Sequence, residues 1–286
     1  MKLQYFGTAA AEAIPALFCC CETCVLARKT GGKEIRMRAS AMIDDRLMID
    51  FGPDAYRQMI ASGHDWYPLT SLFITHSHED HVDPGNLFCR RPGFSHLPKD
   101  QKPLTIYGNE KVQELIGPVL CDEVIFQRMI PFRPVNVEGY TVTALEAVHC
   151  IDEEHGTWPV EFNGKTHMRV EEALFYLFEK DGKSILYAHD TDEFSADDVK
   201  YLKGRRIDII SLDCTNSSRE SRYIGHMGAK DNLRMREKLL ANGAADEHTV
   251  FVSSHFSHNG YTTFEDMQER LPGFTVAYDM LTVETK

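Results

Sequence analysis

His76-Ser77-His78-Glu79-Asp80-His81 sets three imidazoles and two carboxylates into six consecutive residues. Ser71-Leu72-Phe73-Ile74-Thr75 stands immediately before it, a short apolar run of β-prone residues. The hexapeptide therefore reads as a ligand-gathering loop at the end of a buried strand. Neutral imidazoles and carboxylates together suit zinc, manganese or iron, and one such loop can serve two neighbouring ions. The competing interpretation is a surface His-rich loop that picks up metal by accident. It fits poorly, because the cluster follows an apolar strand and no low-complexity tract surrounds it. A metal-dependent hydrolase is the expectation from this stretch alone.

The chain has 286 residues, 43% of them hydrophobic and 26% charged, which is ordinary for a globular protein with a substantial core. Its 43 acidic and 31 basic residues give a formal net charge of -12. Such a field repels long polyanions, so no long nucleic acid is expected as a partner, although a local cationic site still attracts one phosphate. No apolar run approaches the roughly 18 to 20 residues that span a bilayer. The opening Met1-Lys2-Leu3-Gln4-Tyr5-Phe6-Gly7 reads as a first strand rather than a leader, because Glu12 and Pro15 interrupt the apolar region. A cytoplasmic location follows as an expectation. Four of the eight cysteines crowd into residues 19 to 24, which points to metal or redox chemistry in a reducing compartment.

No repeat or long linker divides the chain, so residues 1–286 are expected to form a single domain. Residues 39–51 predict two short strands joined at Asp44-Asp45, and 173–189 a hairpin turning at Asp181-Gly182. Strands are also predicted over 104–107, 207–212, 249–253, 274–278 and 281–285. Helices are predicted over 53–62, 109–117, 228–242 and 263–270, with another from the N-cap Ser195 to about 203. Helices packed outside two sheets accommodate this α+β mixture. Four polar residues share one context, the end of a predicted strand: His149, Asp190, Asp213 and His255. Polar groups at converging strand ends are where layered folds place their sites.

His-x-His-x-Asp-His after a strand, followed by isolated His, Asp and His at later strand ends, resembles the metallo-β-lactamase-fold hydrolases. The resemblance implies a four-layer αββα sandwich with a dinuclear site of two divalent ions, zinc or manganese foremost, between the sheet edges. His76, His78 and His149 would hold one ion, Asp80, His81 and His255 the other, and Asp190 would bridge them. Asp213 would orient a ligand or loop from behind. Such a pair of ions suits hydrolysis by metal-bound hydroxide.

Cys19, Cys21 and Cys24 form Cys-x-Cys-x-x-Cys, with Cys20 between, and His258 lies three residues after His255. Three thiolates and one imidazole make a closed tetrahedral site for a structural zinc. The alternative is a redox-active or buried cysteine group, and Cys20 could join either. Together with His255-Phe256-Ser257-His258, the loop resembles the PhnP-type phosphoribosyl cyclic phosphodiesterases. Phe6-Gly7-Thr8, Leu212-Asp213-Cys214 and Leu271-Pro272-Gly273-Phe274 extend the likeness along the chain. His226, in Gly225-His226-Met227-Gly228, then corresponds to a histidine placed against the phosphate, where it would assist departure of the leaving oxygen. His226 and Asp80 are the residues expected to act in catalysis; the plain alternative for His226 is a histidine packed at a helix entry.

Three features depart from that family. Alanines replace glycines in Gly7-Thr8-Ala9-Ala10-Ala11-Glu12-Ala13-Ile14-Pro15, the segment 150–172 is longer, and a glycine is missing after Tyr278-Asp279. Segment 150–172 reads either as a lid, with Trp158 offering a flat surface to a substrate ring, or as a solvated hairpin. Its Asp152, Glu153 and Glu154 would repel a highly phosphorylated substrate. The resulting expectation is a metal-dependent phosphodiesterase acting on a small cyclic or nucleotide-like phosphodiester. A lactone or thioester hydrolase of the same fold, or a non-catalytic accessory protein of cofactor biosynthesis, is the alternative. A homodimer stays open as an assembly.

Overall fold

Apolar residues on both faces of the central strands force this chain into layers. In the computed structural model, which describes residues 1–219, 224–261 and 263–286, sixteen strands and seven helices succeed one another. The first sheet contains β1 (Lys2–Gly7), β2 (Ser40–Ile43), β3 (Leu47–Ile49), β4 (Ser71–Phe73), β5 (Leu104–Gly108) and β6 (Val124–Arg128), side by side in that order. The second begins with β7 (Val135–Val137) and β8 (Tyr140–Glu146). A separate hairpin of β9 (Trp158–Phe162) and β10 (Lys165–Arg169) interrupts it. It continues through β11 (Leu174–Lys180), β12 (Lys183–Ala188), β13 (Ile209–Asp213), β14 (Val250–Ser254) and β15 (Phe274–Val276). The last strand, β16 (Thr282–Glu284), crosses back to pair with β1 in the first sheet.

Period-two alternation explains the layering. On β11, Leu174, Tyr176 and Phe178 point into the core between the sheets, against Phe73, Leu3 and Ile49 of the first sheet. Phe175 and Leu177, on the other face, pack outward with residues of α5 (Ala196–Leu202) and α6 (Ala229–Ala241), namely Leu202, Met235 and Leu239. Outside the first sheet, Phe6, Met42 and Leu72 are covered by Ala55 of α2 (Ala55–Ser62) and by Val112 and Ile116 of α4 (Glu110–Ile116). Strands buried on both faces read as continuous apolar runs, as 174–178 does. The result is a four-layer αββα sandwich. Of the remaining helices, α3 (Pro84–Phe88) adds Leu87 to the outer cluster of the first sheet, and α1 (Glu22–Thr30) and α7 (Phe264–Arg270) share a further cluster through Ala27, Phe264 and Met267.

The expected elements are present, with ends shifted by one to three residues. Asp181 (φ 50°) and Gly182 (φ 71°) make the predicted hairpin turn, whose two left-handed residues match the twist of the strands they join. Ser195 and Asp198 cap α5 reciprocally. Within 150–172, β9 and β10 pair as a hairpin. Arg169 is buried and donates from Nη1 to the Ala147 carbonyl at 2.8 Å, clamping β10 to the strand end before His149. Among the described residues, no helix is long and apolar enough to cross a membrane.

β8, β12, β13 and β14 all run in one direction, so their C-terminal ends open at one edge of the sandwich. The hexapeptide meets that edge from the first sheet. Its loop lies hard against the Asp50–Pro53 turn: Phe51 N–H donates to the His81 carbonyl at 2.7 Å. A Cβ on Gly52 would lie 2.0 Å from the Asp80 carbonyl oxygen. Gly52→Ala should therefore push the loop away and cost about 2–3 kcal/mol, measured as a lower urea midpoint at unchanged slope. An unshifted midpoint would contradict this close packing.

Candidate metal centre

Each strand end delivers one polar side chain to the same small volume. Asp190 (φ 50°) and His255 (φ 64°) sit in the left-handed region immediately or almost immediately after their strands, a backbone state uncommon outside glycine and concentrated at functional sites. Two principal groups of donors result. His76, His78 and His149 form one, together with Cys150; Asp80, His81, Asp190 and His255 form the other, and Asp213 and His226 lie within the same reach of Asp190 and His255. Within each group, one donor atom from every residue lies within 4.8 Å of the others. Asp190 faces both groups. Its Oδ2 is 2.6 Å from His81 Nε2 and 2.9 Å from His255 Nε2, while Oδ1 is 3.7 Å from His149 Nε2.

These separations are short, yet His76 Nε2, His81 Nε2, His255 Nε2 and Asp190 Oδ2 are all buried without a hydrogen-bond partner. Proximity and missing hydrogen bonds are compatible because the atoms converge on shared points instead of aiming at one another. Each unsatisfied buried group costs about 1–3 kcal/mol, a cost that a cation at the focus removes. Donors at about 2.1 Å from one ion lie about 3 Å apart, which is the spacing seen. The opposite ring nitrogens are all engaged: His81 Nδ1 with Asp50 at 2.8 Å, His255 Nδ1 with Thr215 Oγ1 at 2.7 Å, His149 Nδ1 with the Gly225 carbonyl at 3.1 Å, and His76 Nδ1 with Thr75 Oγ1 at 3.0 Å. Such outer contacts fix the ring orientation that points Nε2 inward. The residues present fit two divalent ions, one per group, with Asp190 between them.

The protonation states agree. Burial opposes charge on His81 and His255, but the surrounding carboxylates outweigh it; His81 is held well above its ordinary range, and Asp190 and Asp213 push His255 up to about 10. Burial alone dominates at His149, whose imidazole falls to about 3. At Asp80, His81 overcomes burial and brings the carboxyl down to about 2. Loading cations here must therefore release the protons of His81 and His255.

Asp213 stands beside the second group. Its Oδ2 accepts Asp190 N–H at 3.1 Å and Thr215 Oγ1–H at 2.9 Å, and faces His226 Nδ1 at 3.2 Å. Burial opposes the His226 cation, but Asp213 prevails and raises its affinity for a proton. His226 also lines the cleft over the two groups, a cavity of about 280 Å³ bounded by His78, Asp80, His149, Asp190, Arg219 and Asn216, among others. Trp158, expected as a substrate contact, does not reach that cleft. It begins β9, where the Lys111 ammonium lies 5.9 Å from its ring. Nor do the acidic residues beside it face the cleft: Asp152 caps its own turn through the Glu154 and His155 N–H groups, and Glu153 pairs with His167 at 2.7 Å.

The second cluster lies beside the first. Cys19, Cys21, Cys24 and His258 place their donor atoms within 4.8 Å of one another, and His258 Nδ1 is 3.5 Å from Cys19 Sγ and 3.4 Å from Cys21 Sγ. Cys20 is exposed and outside this set. Three sulfurs and one imidazole nitrogen at this spacing fit one tetrahedral zinc.

Several residues of the site went unread in the sequence. Asp50 resembles Asp190 in ending a strand, but its role depends on His81 lying opposite, which no local pattern shows. Glu171 is buried and holds the hexapeptide from behind: it accepts Ser77 N–H at 2.8 Å, Ser77 Oγ–H at 2.6 Å and Asn109 Nδ2–H at 2.7 Å. Arg219, which lines the cleft, follows no recognisable motif. Glu171→Ala should loosen the loop and weaken metal binding at the His/Asp site by about tenfold, measured by chelator competition, while the cysteine loop keeps its ion. Equal retention by wild type and variant would rule out the bracing role.

Residues 45–248 match the family model described as the Beta-lactamase superfamily domain. Among solved structures, the chain is similar to a diphosphatase from the PhnP family at 21% identity and a TM-score of 0.72, with 100% of this chain and 98% of that one covered. It is similar to Zn(2+)-bound PqqB from Methylobacterium extorquens at 19% identity and TM-score 0.70, covering 99% and 100%. Human tRNase Z, short form, follows at 16% and 0.64, with both chains covered in full. At such identities these likenesses speak for the fold alone. No curated protein matches the sequence. The matched segment exceeds half of the chain and carries the hexapeptide, His149, Asp190 and Asp213 within the sandwich, so the protein belongs to the beta-lactamase superfamily.

Proposed function

We propose that the protein is a dinuclear metal-dependent phosphodiesterase acting on a small cyclic or nucleotide-like phosphodiester. The observation that carries this is the division of the Asp190 carboxylate between two ligand groups directly beneath a cleft that also holds His226 and Arg219. Two divalent ions bound there would activate a water and offset negative charge on a phosphoryl group. The chain's own residues supply the rest. Arg219 also lines the cleft and adds positive charge that a phosphate would meet. His226, whose affinity for a proton Asp213 raises, is placed to donate a proton to the departing alkoxide. Asn216 Nδ2–H fixes the His226 backbone through its carbonyl at 2.9 Å. Cations in the cleft of a chain with net charge -12 favour a phosphate over a neutral lactone or thioester.

A cleft of about 280 Å³ suits a small molecule. A small-molecule substrate, a cytoplasmic location and a structural zinc at the cysteine loop belong to the same proposal. The PhnP-family diphosphatase acts on phosphorus–oxygen bonds by its name, which agrees with this choice. After metal reconstitution, the protein should cleave a chromogenic aryl phosphodiester or a 2′,3′-cyclic nucleotide, and a chelator should abolish the activity. His226→Ala should lower turnover by about 100-fold at unchanged metal content. Hydrolysis of lactones or thioesters with no phosphodiester cleavage would overturn the proposal, and loss of metal in the variant would make His226 a ligand.

A further inference from the structure

The thiol of Cys150 stands inside the first ligand group. Cys150 follows His149 directly, and its Sγ and one nitrogen each from His76, His78 and His149 lie within 4.8 Å of one another. Sγ is 3.8 Å from His78 Nε2, and Nδ1 of the same ring is 3.4 Å from His149 Nε2. The backbone holds the thiol in place. Cys150 adopts φ 56°, and its carbonyl accepts the Val170 N–H of the β9–β10 hairpin base at 3.0 Å. An independent observation calls for a cation at this point: His76 is fully buried, and its Nε2 has no hydrogen-bond partner. Cys150 is also free of any disulfide.

We propose that Cys150 is a further protein ligand, beside Asp190, of the ion held by His76, His78 and His149, making this half of the centre selective for zinc. The proposal rests on the dinuclear centre proposed above but not on its substrate. Thiolate is a soft donor that favours zinc or cobalt, whereas imidazole and carboxylate alone also accept manganese. On binding, the S–H bond breaks, its proton passes to solvent and the sulfur lone pair forms the bond to the ion. The other half, formed by Asp80, His81, Asp190 and His255, offers no sulfur and stays permissive. The two halves therefore differ in metal preference.

Protein stripped of metal and reloaded with Co(II) reads the thiolates directly through sulfur-to-cobalt absorption in the near ultraviolet. The cysteine loop contributes three thiolates to this signal and Cys150 a fourth. Cys150→Ser should remove about a quarter of the intensity at the same total metal content. In competition between zinc and manganese, the variant should lose about tenfold of the wild-type preference for zinc. Cys150→Ala, which offers no replacement oxygen, should show the same losses. Equal intensity and equal preference in wild type and variants overturn the proposal and leave Cys150 as a neighbour of His78. Wild-type protein that binds no metal beyond the cysteine loop overturns the dinuclear centre, and this proposal with it.

Discussion

The Asp190 carboxylate lies buried against three imidazoles, and the arrangement of the rest of the fold follows from that juxtaposition. Its Oδ2 stands within 3 Å of both His81 and His255 and makes no hydrogen bond to either. Water cannot relieve such a cluster, because the atoms are excluded from it, and direct hydrogen bonds would need the rings to turn. They are prevented from turning by Asp50, Thr215, Gly225 and Thr75, which hold the opposite ring nitrogens. The sandwich therefore presents a set of inward-facing donors arranged to receive cations. Stability and chemistry are thus linked at one point, since metal binding stabilises the folded state that presents the ligands.

The two sheets accomplish this by division of labour. The first contributes one compact loop, seated on Gly52 and braced by Glu171; the second contributes single residues from the ends of four strands running the same way. The β9–β10 hairpin, although outside both sheets, ties into this frame through Arg169 and the Ala147 carbonyl. Glu171, just beyond β10, reaches Ser77 inside the hexapeptide. A segment that interrupts the second sheet thereby supports the first sheet's loop. It supports the site from behind instead of covering it.

Much of this was legible in the sequence, for definite reasons. The hexapeptide is contiguous, so its ligands are visible without tertiary knowledge. His149, Asp190, Asp213 and His255 each follow an apolar run, and strand direction then brings those ends together. His258 was legible through its spacing from His255. Residues that act across the fold were not. Asp50 and Glu171 matter only because His81 and Ser77 lie opposite them, 31 and 94 residues away. Trp158 follows a ligand closely in sequence, yet it is not among the residues that line the cleft. Pairing of Trp158 with Arg169 in the hairpin register carries its ring to the Lys111 side. Cys150 escaped notice beside His149, because its significance depends on where His76 and His78 place their nitrogens.

Anomalous diffraction from crystals of the metal-reconstituted protein, recorded across the absorption edge of the loaded metal, tests the central claim most directly. Two peaks on either side of the Asp190 carboxylate are predicted, one toward His76, His78 and His149 and the other toward Asp80, His81 and His255. A single peak, or peaks with Asp190 coordinated to neither, would contradict the account.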